Sequence, residues 1–348
     1  MTEAKRRIVI LTEGLSNPIN AKTAVSVIRY RTEEVVAVLD STVPPQTTQR
    51  LFNVGGNIPV VPTLAHVPAA DTLLIGIAPQ GGKLPQAMRA AVLQAIQRGM
   101  EIQNGLHEFL SDDPEFAAAA RQYNARLVDL RRNDEHDVAR RQNLRPDCLR
   151  VHTVGNDCCV GKMVVAIEVT HGLKAHGVDA KFLATGQTGI LIEGHGCPVD
   201  AVVSDFVNGA VEKLVLAHQH HEVLLIEGQG SLIHPAYSAV TMGLLHGCAP
   251  HALILCYEMG RTHVNGLDHI PLLPLDQLIA LYHTVANVAH PCRFIGVAIN
   301  SRRVSDAQYR EERARVEREL NLPACDIFRD SAAPLVEAVQ SLRTASCN

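Results

Sequence analysis

Residues 151–177 carry the strongest fold signal in the chain. The apolar segment VHTV is followed by the turn GNDCCVGK and by the helical pattern MVVAIEVTHGLKAHG. A strand, a glycine-bearing turn and a helix in this order bring backbone N–H groups and a helix N-terminus to one point, which attracts an anion. We therefore predict a phosphate-binding loop inside an α/β domain.

Short apolar runs alternate with helical patterns along the rest of the chain. The first half contains RIVIL, VVAVLD, DTLLIGIA and ARLVDL, and the second contains LRVHTV, AKFLAT, VLLIEG, ALILCYE and FIGVAIN. Strands separated by helices favour parallel pairing, with ligands at the carboxyl ends of the strands. The polar segment 131–147 lacks apolar periodicity. We predict two doubly wound α/β domains, residues 1–146 and residues 147–348.

Composition narrows the classes of partner. A formal net charge of -4 gives no electrostatic case for nucleic acid or an anionic membrane. The longest apolar stretch, 239–257, is interrupted by His246, Pro250 and His251, which argues against a membrane span. The nine cysteines have irregular spacing and no secretory leader precedes them, so we expect reduced thiols and a cytoplasmic protein.

The turn supplies the predicted cofactor-binding residues. Lys162 would place its ammonium against phosphates, and Gly161 lets the backbone come close to them. Cys158 and Cys159 lie at a helix N-terminus that lowers a thiol pKa, but small packing side chains are favoured over an acyl-carrying thiol. A tight turn with a purely structural role is the alternative. The predicted residues are Gly155, Asn156, Asp157, Cys158, Cys159, Val160, Gly161, Lys162 and Met163.

Met163 stands where hydrolases with such loops carry a hydroxyl that holds Mg²⁺. A thioether is a poor ligand for a hard cation, although Asp157 or Glu227 could still hold one. The histidine-rich run 218–221 has no Cys or acidic partner at ligand spacing, so a solvated helix end is favoured. We predict anion binding rather than hydrolysis, and no metal site.

Polar residues follow several strands of the second domain. Glu227 and His234 are the predicted catalytic residues, because a carboxylate beside a histidine can act as a general base. A packing or capping role is the alternative for His234. Arg261 suits a bidentate grip on a carboxylate, and Asn300, at a strand end, is assigned to the cofactor. The predicted substrate-binding residues are Gln187, Thr188, Asp205, Tyr237 and Arg261.

The turn resembles the loop of dethiobiotin synthetase, G-T-D-x-x-V-G-K-T, with Asn156 and Met163 replacing threonines. The whole chain resembles a bacterial and archaeal family known as a domain of unknown function, through the segments GNDCCVGKM, ATGQTGILI, PVDAVVSDFVNGAVE and EGQGSLIHPAYSAVTMGLLHG, and through GGNIPVVPTL and IAPQGGKLP in the first half. That resemblance implies a Rossmann-like N-terminal domain, a P-loop NTPase-like C-terminal domain and D-glutamate N-acetyltransferase activity. Two departures are visible: Val164 and Val165 replace hydroxyl residues, and His195 replaces an acid.

Three functions follow from these observations. The first is transfer of acetyl from acetyl-CoA to the amine of an acidic amino acid, with the loop on the CoA phosphates. The second is an ATP- and Mg²⁺-dependent ligase or carboxylase of the dethiobiotin synthetase type, and the third is a nucleotide-sensing binding protein. The expected partner is a small molecule, and a homodimer is an expectation only.

Overall fold

The computed structural model describes residues 5–17, 20–79 and 81–346. Its contacts divide it into two compact units. One runs to Asn133 and includes Ile190–Gly194; the other comprises Asp134–Gly189 and the chain from His195 onward. The predicted domain boundary after residue 146 stays a prediction, and residues 134–146 lie with the second unit.

The first unit is built on a seven-stranded sheet in the order β3-β4-β2-β1-β5-β6-β7. All neighbouring pairs are parallel except β3 and β4, so the sheet carries one antiparallel edge strand. The strands are β1 Ile8–Leu11, β2 Val35–Leu39, β3 Gln46–Thr47, β4 Pro59–Val61, β5 Thr72–Ile75, β6 Glu101–Asn104 and β7 Leu127–Asp129; the helices are α1 Lys22–Tyr30, α2 Thr48–Phe52, α3 Arg89–Gln97 and α4 Pro114–Tyr123.

The strand β1 shows why this sheet is buried on both faces. Its side chains alternate: Val9 and Leu11 join one apolar cluster, whereas Ile8 and Ile10 join another. Successive side chains of a strand point to opposite faces, so a continuous apolar run fits only a sheet that is covered on both sides. The predicted α/β class is confirmed for this unit.

The second unit is built on a fully parallel six-stranded sheet in the order β15-β14-β11-β8-β10-β9, with a separate antiparallel hairpin of β12 and β13. The strands are β8 Leu149–Gly155, β9 Ala180–Leu183, β10 Val223–Ile226, β11 Ala252–Glu258, β12 His263–Val264, β13 Leu267–Pro271, β14 Arg293–Asn300 and β15 Ala324–Cys325. The helices are α5 Lys162–Ala175, α6 Gln187–Glu193, α7 Val207–His218, α8 Ser238–Cys248, α9 Leu275–Ala289, α10 Asp306–Leu320 and α11 Ala333–Ser346. The residues of α6 from Ile190 onward group with the first unit.

The strand β8 lies inside this sheet, between β10 and β11. The chain fills the β10-β9 side first and then crosses to the β11-β14 side, so the strand order reverses at β8. In open α/β sheets such a switch point opens a crevice at the carboxyl ends of the strands. The loops after β8, β10, β11 and β14 therefore meet at one edge. Within the described residues, no helix has both the length and the apolar character needed to cross a membrane.

Candidate functional site

The turn after β8 ends in a helix start that no side chain caps. Gly161 is the N-cap of α5, with φ 111°, and makes no side-chain cap hydrogen bond. The first bond of the helix runs from Val165 N–H to Gly161 O at 3.0 Å. The N–H groups of the first turn before Val165 thus lie outside the helical ladder, where they can bind an anion. Space is open here: among the described residues, no atom lies within 4 Å of where a Cβ on Gly161 would be.

The Lys162 side chain is buried beneath the turn. Its Nζ donates to the Asp157 carbonyl at 2.7 Å, and burial lowers its pKa. Gly228, the second residue after β10, is required beside it, because a Cβ there would lie 1.7 Å from Thr153 O and 2.9 Å from Lys162 Cδ. The loop after β10 therefore packs directly against the cation of the turn.

Buried polar groups hold the turn in place. Tyr282 of α9 donates to Gly155 O at 2.8 Å and accepts from Leu232 N–H at 3.2 Å. Asn300, at the end of β14, donates from Nδ2 to Val160 O at 3.5 Å. In the part of the chain that the structure describes, Asn156 Oδ1 is buried without a hydrogen-bond partner. An unmatched acceptor in an anion-binding turn fits a ligand that also carries a donor.

Asp157 is fully buried and belongs to a charged network. Its Oδ2 accepts from Arg261 at 2.7 Å and from Asn265 N–H at 2.8 Å, while its Oδ1 accepts from Cys158 N–H at 2.7 Å. Arg261 also donates to Cys158 O at 2.9 Å and pairs closely with Glu258, the last residue of β11. These hydrogen bonds and ion pairs raise the pKa of Arg261 against the opposing effect of burial.

The structure gives Arg261 contacts that differ from its predicted role. The sequence assigns it to a substrate carboxylate, whereas its guanidinium bridges Asp157 and Glu258. Both carboxylates have no exposed side-chain surface. This arrangement fixes the turn after β8 to the end of β11. The substrate-binding role of Arg261 stays a prediction. To bind a substrate carboxylate, the guanidinium would have to give up its contacts with Asp157 or Glu258.

His234 lies beside the same turn. Its Nδ1 accepts from Ala236 N–H at 3.2 Å, which leaves the proton on Nε2, 3.3 Å from Asn265 O and 3.8 Å from Asp157 Oδ1. Asp157, Cys158 and His234 bring three ligand-type atoms within 4.8 Å of one another, the one such group among the described residues. Metal-bound histidines donate their second N–H. Here that nitrogen accepts, so the geometry suits hydrogen bonding better than metal binding.

Glu227 follows β10 and is buried. Its Oε2 accepts from Thr185 N–H at 2.8 Å and from Gly186 N–H at 3.1 Å. Burial raises the pKa of Glu227 to about 7, and the two N–H donors and the nearby Lys162 oppose that shift. Gly189 makes room for the carboxylate, since a Cβ there would lie 2.4 Å from Oε2. A buried carboxyl that titrates near neutral pH can accept a proton.

The other predicted substrate-binding residues have different environments. Gln187 and Thr188 open α6, next to the Glu227 carboxylate, and Thr188 is buried. Tyr237 is exposed, with its ring 4.6 Å from that of His234. Asp205 is exposed in a 3₁₀ turn that precedes α7. The structure therefore brings Tyr237 to His234, and it places Gln187 and Thr188 in the chain between Gly186 and Gly189, the two glycines beside the Glu227 carboxylate.

Sequence reasoning missed several residues that shape the site. Glu258 ends an apolar strand in the same way as Glu227, and that pattern could have identified it. Its pKa is lowered, against the effect of burial, by Arg302 and Arg261. The sequence did not indicate that Tyr282 and Asn265 belong to the site, because tyrosine is common in amphipathic helices and asparagine is common in hairpin turns.

This chain matches a known protein family over most of its length. A family described as a domain of unknown function, DUF1611_C P-loop domain, matches residues 137–336, and the DUF1611_N Rossmann-like domain matches residues 43–133. The chain belongs to the DUF1611 family. The crystal structure of a DUF1611 family protein from Anabaena variabilis ATCC 29413 has a TM-score of 0.90 and 35% identity, with 97% of this chain and 99% of that chain covered.

Two relatives of this chain carry the name D-glutamate N-acetyltransferase. The protein from Tritonibacter scottomollicae is 39% identical over 283 residues, which is 80% of this chain and 84% of the relative. The protein from Pseudoalteromonas sp is 35% identical over 268 residues, 77% of this chain and 80% of the relative. These relationships confirm the resemblance predicted from the motifs, the Rossmann-like and P-loop assignments, and that this DUF1611 protein is an acetyltransferase enzyme.

Proposed function

We propose that this DUF1611 protein transfers acetyl from acetyl-CoA to the amine of D-glutamate or a similarly acidic amino acid. The observation that carries the proposal is the identity, over most of both chains, to two proteins named D-glutamate N-acetyltransferase. The uncapped start of α5 supports it, because its N–H groups and Lys162 suit the phosphates of CoA. Met163 offers no hydroxyl for Mg²⁺, and holding a phosphate needs none.

The residues divide into an anion-binding part and a proton-accepting part. Acetyl-CoA, when bound, supplies an acetyl group activated as a thioester. The turn from Gly155 to Met163 holds its phosphates, and Asn300 lies at the rim of the turn. Glu227 accepts one proton of the substrate ammonium; the C–N bond forms as the C–S bond breaks, and the sulfur takes a second proton from the nitrogen and leaves as CoA thiol. His234 is the second candidate for the proton acceptor.

The pH dependence of the reaction follows from Glu227. Only its carboxylate accepts a proton, and burial raises its pKa to about 7. We therefore propose that kcat rises as pH increases through about 7. The contacts of the substrate with Gln187, Thr188, Asp205, Tyr237 and Arg261 are part of the proposal, and so are a homodimer and a cytoplasmic location.

The test measures free thiol released from acetyl-CoA in the presence of D-glutamate. Calorimetric titrations with acetyl-CoA and with ATP plus Mg²⁺ accompany it. We expect thiol release, acetyl-CoA binding that Lys162→Ala weakens, and little ATP binding. Mg²⁺-dependent phosphate release from ATP, without thiol release, would instead support the ligase alternative.

Glu227→Gln separates the two parts of the site. Loss of a general base lowers kcat by about 10²–10⁴-fold, and we expect the Kd of acetyl-CoA to stay within about twofold. Glu227 lies near Lys162, so it could instead support the binding of phosphates. A large change in that Kd with unchanged kcat would indicate this binding role and contradict the assignment of Glu227 as the base.

A further inference from the structure

Two consecutive cysteines lie inside the anion-binding turn. Cys158 and Cys159 are thiols rather than a disulfide, and Cys159 is exposed whereas Cys158 is half-buried. Cys159 has φ 58°, in the left-handed region, and the two side chains hydrogen-bond each other. Asn265 Nδ2 contacts Cys158 Sγ at 3.4 Å. The turn thus presents two sulfur atoms in contact, one of them facing solvent.

The other described cysteines differ from this pair. Cys148, Cys197, Cys248, Cys256, Cys292 and Cys325 are all buried. Burial raises the pKa of Cys148 to about 11 and that of Cys256 to about 12. Because the thiolate is the reactive form, buried thiols of this kind are inert. Within the described residues, thiol chemistry is therefore confined to the turn.

The surroundings assign different roles to the two thiols. Cys159 is accessible and lies near the start of α5, whose N-terminus favours a negative charge. The hydrogen bond with Cys159 and burial raise the pKa of Cys158, so the Cys158 thiol stays protonated to a higher pH. An accessible thiol beside a second thiol is the arrangement in which the first is oxidised and the second resolves the product.

We propose that Cys158 and Cys159 form a thiol-modification site for oxidants of the peroxide class. The Cys159 thiolate attacks one peroxide oxygen and the O–O bond breaks, which gives a sulfenic acid and, after protonation, one water. Cys158 Sγ then attacks the Cys159 sulfur, the S–O bond breaks and a second water leaves. The peroxide is reduced to water, and the two thiols are oxidised to a disulfide.

Disulfide formation would reshape the turn. The peptide bond fixes neighbouring Cα atoms about 3.8 Å apart, below the usual minimum of about 4.4 Å for a disulfide, so this disulfide is strained and the dihedral angles around Cys158 and Cys159 have to rotate to accommodate it. Asp157 and Arg261 hold the N–H and the C=O of Cys158. The rotation therefore falls on the part of the turn nearest α5. This consequence rests on the proposed role of the turn in binding CoA phosphates.

The experiment treats the full-length protein with hydrogen peroxide and maps thiols by mass spectrometry without reduction. We expect a disulfide within the Cys158–Cys159 peptide that dithiothreitol reverses. Cys158→Ser should accumulate a sulfenic acid at Cys159 that dimedone traps, whereas Cys159→Ser should keep Cys158 reduced. Failure of wild-type protein to lose these thiols, or equal oxidation of Cys159→Ser, would overturn the proposal.

Binding measurements test the consequence separately. The Kd of acetyl-CoA should rise by about tenfold or more on oxidation, a cost of about 1.4 kcal/mol, and recover on reduction. The double variant Cys158→Ser/Cys159→Ser is the control, and peroxide should not alter its Kd. If oxidised protein binds acetyl-CoA as tightly as reduced protein, the consequence is wrong. If reduced protein does not bind acetyl-CoA at all, the proposed function fails, while the mass spectra still decide the modification.

Discussion

Replacing Arg261 by Met tests whether this residue supports the site or binds substrate. The guanidinium is 2.7 Å from Asp157 Oδ2 and also pairs with Glu258, and both carboxylates are fully buried. Met has a similar length and no charge, so the change removes the ion pairs while it keeps much of the packing. Asp157 would then be a buried carboxylate without its ion-pair partner.

The expected loss of stability depends on the partners that Asp157 and Glu258 retain in Arg261→Met. Removing one partner of a buried ion pair costs about 3–5 kcal/mol. Glu258 still has Arg302 at 2.8 Å and Arg303 at 3.2 Å, and Asp157 still accepts from two backbone N–H groups. We therefore expect the lower end, about 3 kcal/mol. For a unit of this size that lowers Tm by roughly 6–12 °C, measured by scanning calorimetry on the transition of the second unit.

A matched control and a second variant sharpen the test. Arg303 pairs with the same Glu258, but its side chain is 61% exposed, so Arg303→Met should change stability by less than about 1 kcal/mol. Asp157→Asn combined with Arg261→Met should be more stable than the two single effects predict. An unchanged Tm in Arg261→Met, together with a large rise in the KM for D-glutamate, would refute this reasoning and restore the predicted substrate role.

Three further predictions concern the neighbouring residues. Because burial raises the pKa of Glu227 to about 7, its stabilising contribution is present below pH about 4.5 and is lost as pH rises through 7; the loss is on the order of 3 kcal/mol, and urea unfolding at several pH values should show a flatter dependence in Glu227→Gln. Tyr282→Phe leaves Gly155 O and Leu232 N–H without their buried partner and should lower the free energy of unfolding by about 1–3 kcal/mol; a loss below about 0.5 kcal/mol in urea unfolding contradicts it. Gly189→Ala places a Cβ 2.4 Å from Glu227 Oε2 and should reduce kcat at least about tenfold through displacement of the carboxylate. Gly177→Ala strains a left-handed backbone (φ 76°) after the C-terminal end of α5, so it should lower stability but keep kcat in the same thiol-release assay.

The parallel strands of the second unit were predictable because burial on both faces produces continuous apolar runs. The segment VLLIEG contains β10, and ALILCYE coincides with β11. The strand β6 was missed because EIQN, its sequence, is mostly polar. Gln103 and Asn104 are nonetheless buried, and the NH₂ groups of both amides donate to polar partners, although Gln103 Oε1 has no partner among the described residues. Local sequence does not encode such partners, so periodicity could not reveal that strand.

Placement at strand ends was also predictable, but contacts were not. Glu227, Arg261 and Asn300 follow different strands, and parallel pairing brings those strand ends to one edge. Which group each side chain contacts depends on neighbours that are distant in sequence. Asp157 is 104 residues from Arg261 and 108 from Asn265. For this reason the sequence placed Arg261 at the correct edge without indicating that it bridges two buried acids.

Anion binding and metal binding by a phosphate loop can change independently, because they depend on different groups. Backbone N–H groups at the start of α5 supply the anion-binding half, and any sequence that keeps Gly161 and the helix keeps them. Metal binding needs side chains, and here the position after Lys162 is Met163, while the nearby Asp157 is paired with Arg261. We expect a chain of this kind to retain affinity for phosphates without corresponding support for phosphoryl transfer. The class of ligand that suits such a site is an acyl donor whose phosphates are bound but do not react.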